Sequence, residues 1–437
     1  MSSTATTRTH RHLLTPWSKQ AGISTPTITR AEGSYLFGDD GKRYLDLSAG
    51  LVAVNLGHGH PAVVEAIKKQ AEAVCYVAPS LMNDTRSEFA ELLSAISPWD
   101  EGARVFFTTG GGEANEDALK MARMITGRHK VLATYRSFHG SAPGAGSLTG
   151  EDRRWANEPG IPGVVHFFAP YPYRSPFHAD DPEEEVRRAL DHLELVLSYE
   201  GAKNVAALVI EPLVGTAGVV VYPDGYLQGV RRITAEHGIV LILDEVMTGF
   251  GRLGEAFAAD RFGVVPDMIT FAKGVTSAYV PLGGVLLREG LARHFDDVAL
   301  MCGHTYSGHP LAMAAGLATV TTMRREGLFQ RARELETVLR EGLAQILASH
   351  AVVGDARGVG AMYGIELVKD KVTREPLVPW FGGDNSAMAK LGAALRKEGV
   401  YAFGRYNTLM LTPPLTIARD DLEFGLEALD RALGVFA

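Results

Sequence analysis

The chain has 437 residues, 46% of them apolar and 22% charged, with a net charge of −8. That profile excludes a disordered or collagen-like chain and offers no basic surface to nucleic acid or anionic lipid, while the length calls for a large and a small core. Two cysteines, Cys75 and Cys302, cannot make a framework of bridges, and no apolar run approaches the roughly 20 residues of a membrane-spanning helix, so a cytoplasmic protein is expected.

The first acidic residue is Glu32, and the start is rich in Ser, Thr and Arg, as in a transit peptide. The preferred reading is an arm that docks on something through Pro16 and Trp17. Tyr35 to Leu47 predicts a hairpin turning at Asp39-Asp40-Gly41. Pro61 suits the first position of a helix whose buried face would be Val63, Ile67, Ala71 and Val74. His58 and His60 lie in a glycine-rich turn with no third ligand at a recognisable spacing, so no metal site is expected.

Val105 to Thr109 predicts a strand, Gly110-Gly111-Gly112 a turn, and Glu113 onward a helix with Ala114, Ala118, Met121, Ala122 and Ile125 on its apolar face. A helix start of this kind presents unpaired N–H groups and the positive end of the helix dipole, a ready site for phosphate; the bland alternative is a tight turn. The strand Lys130 to Tyr135 leads to Arg136-Ser-Phe-His-Gly140, where Phe138 and His139 either line a planar ligand or belong to the core. Residues 141–182 read as a long functional loop, interrupted by the run Val164 to Phe168. A helix over Glu183 to Leu197 and a strand over Val205 to Ile210 follow, the strand ending at Glu211-Pro212.

The most informative stretch comes next. Ile239 to Leu243 is an unbroken aliphatic run that delivers Asp244 and Glu245, as in a strand buried on both faces. Met268 to Ala272 then delivers Lys273. An acid and an amine leaving neighbouring strands would sit where open parallel sheets bind ligands. Burial would favour the free amine and so suit Schiff-base chemistry, and a buried strand-end aspartate suits holding a positive charge such as a protonated pyridine nitrogen. Gly249-Phe-Gly-Arg-Leu-Gly254 matches the dinucleotide fingerprint, but its first glycine lies beyond the strand exit, too little chain precedes Met268 for a full crossover, and Lys273 stands where a ribose-binding acid is wanted. A glycine-rich turn is the better reading; an NAD-dependent dehydrogenase and a non-catalytic binding module are the rivals.

Pro281 to Leu287 predicts another strand, and Gly303-His-Thr-Tyr-Ser-Gly-His-Pro310 precedes an alanine-rich helix. Leu328, Ala332, Leu335, Leu339, Leu343 and Ile346 mark a long helix; strands near 361–368, a helix near 386–398, strands near 400 and 409, and a helix from Asp420 complete the chain. The expected architecture is α/β: a mainly parallel sheet covered by helices over residues 57–325, and a smaller α+β domain built from 326–437 with the arm and hairpin of 1–56.

Together these residues resemble the class III aminotransferases, fold-type-I enzymes that use pyridoxal phosphate. The motifs are Gly110-Gly-Gly-Glu-Ala-Asn, Ser137-Phe-His-Gly, Glu211-Pro, Asp244-Glu-Val, Gly249-Phe-Gly-Arg, Ala272-Lys-Gly and His304-Thr-Tyr-Ser-Gly-His-Pro, and the resemblance runs from about Thr25 to the C-terminus. It implies that Lys273 forms the Schiff base and then shuttles protons, and that Asp244 pairs with the pyridine nitrogen. It further implies Val246 on one ring face, Phe138 on the other with His139 beside it, and Gly111 and Gly112 on the phosphate. Thr305 would reach that phosphate from the partner of a homodimer, itself able to pair into a tetramer, and Glu211 would stand near cofactor or substrate.

Two departures narrow the family. Glycine stands at 112 where serine is common, and Met410 replaces the arginine of ornithine-type members. The chain is more similar to the ω-transaminases acting on amine, β-alanine or taurine with pyruvate. There an arginine upstream of the proline pair binds the keto-acid carboxylate, and Arg405 is the candidate. Leu51-Val52 replaces a tryptophan common in amine-active relatives, which implies a roomier donor pocket. The implied reaction moves an amino group from a primary amine or ω-amino acid to pyruvate or a similar keto acid, ping-pong through pyridoxamine phosphate. A racemase or decarboxylase on the same cofactor remains open.

Overall fold

The computed structural model describes residue 8 and residues 11–21, 25–381 and 383–437. In the N-terminal part β1 (Ile28–Glu32), β2 (Tyr35–Gly38) and β3 (Arg43–Asp46) form an antiparallel meander that contains the expected hairpin. Seven further strands make the central sheet: β4 (Ala103–Thr108), β5 (Lys130–Thr134), β6 (Val164–Phe167), β7 (Val205–Ile210), β8 (Val240–Asp244), β9 (Met268–Phe271) and β10 (Gly283–Arg288). Their order is β4-β10-β9-β8-β7-β5-β6, and β10 alone runs antiparallel to its neighbours. The C-terminal ends of β4, β5, β7, β8 and β9 therefore share one sheet edge with the start of β10.

The central strands are aliphatic throughout because both faces are covered. Val240 and Ile242 pack with Ala114, Ala118, Met121 and Ala122 of the helix Gly111–Thr126 on one side. Leu241 and Leu243 point the other way, towards Tyr226, Val230 and Ile233 of the helix Tyr226–Glu236. Each such leucine, fully buried, contributes roughly 1.5–3 kcal/mol.

The C-terminal strands are β11 (Val353–Val359), β12 (Met362–Asp370), β13 (Glu375–Pro376), β14 (Val400–Tyr401), β15 (Phe403–Arg405) and β16 (Thr408–Leu411). β14 pairs in parallel with β3, so the N-terminal meander and the C-terminal segment share a sheet. The helix Leu328–Ser349 buries the predicted leucine stripe together with Phe329.

Two expectations differ from what forms. Residues 141–182 hold a short helix, Pro143–Leu148, and two 3₁₀ turns, Asp152–Asn157 and Pro172–Arg174, which small and Gly/Pro-rich sequence conceals from periodicity. In the helix Pro61–Ala73 only Val63 is buried; Ile67 is half-buried, Ala71 is exposed and Val74 is the C-cap. The far end of that helix leads into further exposed apolar side chains at Tyr76, Leu81 and Met82.

Gly283, where β10 begins, is pinned by close packing. A Cβ there would meet the carbonyl carbon and oxygen of Gly110 at 2.7 Å and Thr108 Oγ1 at 2.9 Å, whereas one at Gly290 would meet nothing within 4 Å. Gly283→Ala is expected to lower stability by about 1–3 kcal/mol and Gly290→Ala to change it by less than about 0.5 kcal/mol, read from urea unfolding midpoints.

Candidate functional site

Asp244 and Lys273 leave β8 and β9, which are hydrogen-bonded neighbours running in parallel. Both line a cavity of about 360 Å³, together with Gly110, Gly111, Gly112, Asn115, Phe138, His139, Glu211 and Val246. A wider hollow of about 530 Å³ lies between the helices Leu328–Ser349 and Arg419–Leu433, but its charged side chains pair along the surface, as Arg419 with Glu423 and Arg431 with Glu427, and no strand ends there. The chemistry converges on the first cavity.

Asp244 is 4% exposed and fully engaged on one oxygen. Its Oδ2 lies 2.7 Å from His139 Nδ1 and accepts from Asn115 Nδ2 at 2.8 Å, while Oδ1 accepts only the amide of Val246 at 3.1 Å. Asn115 is fixed in turn: it donates to the His139 carbonyl at 2.8 Å, and its Oδ1 accepts from Thr270 Oγ1 at 2.8 Å. Burial is the largest single influence on His139 and works against a charged imidazole, yet the bond to Asp244 and the charges of Asp244 and Glu211 together outweigh it and raise that ring's proton affinity. His139 Nε2 is buried without a partner among the described residues, a polar atom aimed at a group the protein alone does not supply.

Lys273 adopts φ +46°, a left-handed conformation unusual for a side chain of this size. Burial lowers its amine to about 8, against the opposing pull of Asp244 and Glu211, with Arg153 adding to the lowering. Among the described residues none hydrogen-bonds its Nζ. Glu211 accepts from the amides of Phe138 (3.0 Å) and Gly215 (2.7 Å), and burial lifts its carboxyl to about 7 although His139 pulls the other way.

Gly111 and Gly112 open the helix Gly111–Thr126, whose N-cap Gly110 provides no side-chain cap. Glu113 turns back to bond the Thr109 amide and hydroxyl, so the first-turn amides of the helix remain directed into the cavity. A Cβ on Gly111 would press on Val246 Cγ2 at 2.8 Å, so only glycine lets Val246 lean over the turn. Amides and helix dipole suit an anion, the half-buried Phe138 and Val246 suit a flat ring, and Asp244 Oδ1 suits a ring N–H⁺. The residues present fit a phosphorylated pyridine aldehyde.

The remaining expected residues lie outside the lining. Leu51 is 44% exposed, Val52 is buried at φ +58°, Thr305 is exposed, and Arg405 is held by Glu151 and Asp152. Trp17 of the arm sits edge-on to Phe138 at 6.0 Å, so the arm docks beside the cavity. Sequence reasoning gave no role to Asn115, although it closes the Gly110-Gly-Gly-Glu-Ala-Asn motif, and none to Arg153, which had no signal within its loop.

The family model for class III aminotransferases matches residues 18–433. The chain is 36% identical over 408 residues to the uncharacterized aminotransferase YhxA of Bacillus subtilis (strain 168), covering 90% of this chain and 89% of that one. Its fold superposes with a TM-score of 0.96 on the taurine:2-oxoglutarate aminotransferase from Bifidobacterium kashiwanohense, solved with PLP and glutamate, at 42% identity over 99% of this chain and 97% of that one. The (S)-enantioselective ω-transaminase from Thermomicrobium roseum follows with a TM-score of 0.93 and 36% identity over 100% and 99% of the two chains. A shared family model, a shared fold and a cavity that fits the cofactor converge: the chain belongs to the class III aminotransferases, enzymes of fold type I that transfer amino groups with pyridoxal phosphate.

Proposed function

We propose that this enzyme moves an amino group from a primary amine or ω-amino acid to pyruvate or a similar keto acid by a ping-pong route, the donor product leaving before the acceptor binds. The observation that carries the reading is the pairing of a lowered amine, Lys273, with a buried carboxylate, Asp244, on adjacent strand ends of one cavity. In this reading Gly111 and Gly112 would hold the phosphate, Phe138 and Val246 would enclose the ring, and Lys273 Nζ would hold the aldehyde end. Bound pyridoxal phosphate supplies an electron-withdrawing ring that stabilises negative charge on the substrate carbon.

The protein's part is to hold charge and move one proton. Asp244 Oδ1 would hold the ring nitrogen in its protonated form, and His139 and Asn115 keep that carboxylate from turning away. Lys273 Nζ, an amine lowered by burial, would accept the proton of the substrate carbon and give it back, the role of a general base and acid. Glu211, with a carboxyl near 7, stands beside this exchange without adding a full negative charge at neutral pH.

The reading extends to assembly and place. Thr305 is exposed in this chain and its carbonyl accepts from Tyr76 at 2.9 Å, beside the exposed Leu81, Met82, Met301 and Tyr306. An apolar surface of that kind supports a homodimer in which Thr305 of each subunit serves the phosphate site of the other. Free Cys75 and Cys302 accord with work in the cytoplasm.

Incubation with a panel of amines plus pyruvate is expected to yield alanine in proportion to amine consumed; consumption of a single amino acid with no keto acid required would point to racemase or decarboxylase chemistry instead. Lys273→Ala is expected to lower turnover by about 10²-fold or more and to abolish the visible absorbance of the bound cofactor. In the apoprotein, modification of Lys273 by an amine-directed reagent should rise with pH through about 8, because the neutral amine is the reactive form and burial lowers its proton affinity. Surface lysines should rise only near the ordinary value of about 10.4, and a half-maximum for Lys273 in that range would refute the enclosed-amine reading.

A further inference from the structure

The turn that follows Lys273 is held in an unfavourable backbone conformation. Lys273, Ser277 and Ala278 have φ of +46°, +49° and +60°, so three residues with side chains sit in the left-handed region within one short turn. The turn's own hydrogen bonds are local. The amides of Ser277 and Ala278 donate to the carbonyls of Gly274 at 3.1 Å and Lys273 at 3.3 Å, and Thr276 Oγ1 donates to that of Val280 at 2.7 Å. Strain of this kind persists only where the surroundings impose it.

The surroundings here are residues 55–60, the glycine- and histidine-rich stretch, none of which lines the cavity. The Leu56 amide donates to Ser277 Oγ at 2.9 Å, and both residues are buried. The Tyr279 hydroxyl donates to the Gly57 carbonyl at 3.0 Å and accepts from the His60 amide. Gly274 lies so close that a Cβ on it would stand 2.5 Å from Asn55 Nδ2. The stretch is itself fixed from its far side. Asn55 Oδ1 accepts from Arg252 Nη2 at 2.6 Å, and the Asn55 carbonyl accepts from the Leu415 amide at 2.8 Å. His58 exchanges backbone hydrogen bonds with Gly33, and its ring lies 3.2 Å from Asp46. The lysine turn is therefore tied to a stretch that the N-terminal meander and the C-terminal segment grip together.

We infer that Ser277 and Tyr279 are positioning residues of the reaction: anchored on Leu56, Gly57 and His60, they hold the left-handed turn that keeps the Lys273 amine enclosed. This inference rests on the reading of Lys273 as the amine that holds the cofactor, and it adds the residues that keep that amine in place. The charged groups that face the amine are Asp244 at the end of β8, Glu211 beyond β7 and Arg153 in the 3₁₀ turn Asp152–Asn157. Neither Ser277 nor Tyr279 hydrogen-bonds to any of them among the described residues, so loss of either anchor leaves those charges in place and acts on the amine through the turn alone. A relaxed turn lets Nζ move out towards water or closer to the carboxylates, and both changes favour the charged form.

The test follows Lys273 in the full chain. Each holoenzyme is first shown by cofactor absorbance to be folded and loaded, the cofactor is removed, and the pH dependence of Lys273 modification by an amine-directed reagent is measured. Ser277→Ala and Tyr279→Phe are each expected to move the half-maximum upward from about 8 by about 0.5–1 pH unit, towards the ordinary lysine value of about 10.4. Ser277→Thr keeps the acceptor oxygen and should restore the original half-maximum. Ala278 is exposed, and Ala278→Gly placed on the Ser277→Ala background should recover at least half of the shift, because glycine accepts a positive φ without an anchor. A hydroxyl that only satisfied the Leu56 amide would give no such rescue. Tyr35→Phe, which removes a tyrosine hydroxyl bonded to Asp421 away from the cavity, should leave the half-maximum where it is. Half-maxima that stay within about 0.2 pH unit of the unsubstituted protein in Ser277→Ala and Tyr279→Phe would overturn the inference and leave the reading of Lys273 intact. If one of the two does not fold, the other is judged by the same criterion. A half-maximum near 10.4 in the unsubstituted protein would instead overturn the enclosed-amine reading itself.

Discussion

The site depends on the way one carboxylate is buried. Asp244 closes a strand with no exposed residue, where an isolated charge would be expensive and would tend to take up a proton. Two donors, His139 Nδ1 and Asn115 Nδ2, meet the same oxygen, and Asn115 is itself braced from β9 by Thr270. Charge-assisted bonds of this kind are roughly twice as strong as neutral ones, so the carboxylate keeps its orientation. The other oxygen, with one amide on it, is the one left for a ligand.

Lys273 obeys the same electrostatics with the sign reversed. Burial alone would push the amine further down than it goes; the carboxylates of Asp244 and Glu211 pull it back, and Arg153 opposes them. The balance leaves an amine that ionises near the working pH rather than one permanently charged or permanently neutral. Glu211 shows the converse balance, lifted by burial and by Asp244 but restrained by His139 and two backbone amides. Each group is tuned by the others, so the backbone strain at Lys273, φ +46°, is consistent with a side chain whose place is set by the site rather than by its own helix or strand preference.

What was legible in the sequence followed from local patterns. The aliphatic run into Asp244 and the short run into Lys273 announce buried strands, and the structure pairs them in parallel. The stripe from Leu328 to Ile346 is buried as its spacing requires. Long-range juxtapositions left no such trace. Asn115 reads as one more residue of a helix, and only the fold brings it to Asp244. Arg405 lies 254 residues beyond Glu151 and meets it at a loop whose Gly/Pro content hides its short helices. The stripe of Pro61–Ala73 misled for a different reason: a periodic apolar face identifies a surface to be covered, not what covers it, and beyond Val63 this chain leaves much of that surface open.

The three glycines of the turn Gly110 to Gly112 also divide by physics. At Gly111 a Cβ would strike Val246 at 2.8 Å, so the residue follows from the need to bring the Val246 side chain over the turn. At Gly110 a Cβ would meet nothing within 4 Å, so sterics do not dictate the choice. Gly112 is the informative case, because its Cβ would stand 3.6 Å from Gly140 Cα, an ordinary contact that a serine would tolerate. Packing therefore does not explain the absence of the hydroxyl that relatives often place there. The turn relies instead on backbone amides and the dipole of the helix Gly111–Thr126, groups that need no side chain to bind an anion. Gly140 faces the reverse constraint: its own Cβ would fall 2.7 Å from Gly112 Cα and 2.8 Å from Ala145 Cβ, at φ +146°. The close approach of the Phe138-His139 segment to the glycine turn is thus secured from the Gly140 side, and that approach is what places an aromatic face and the first amides of a helix in one cavity.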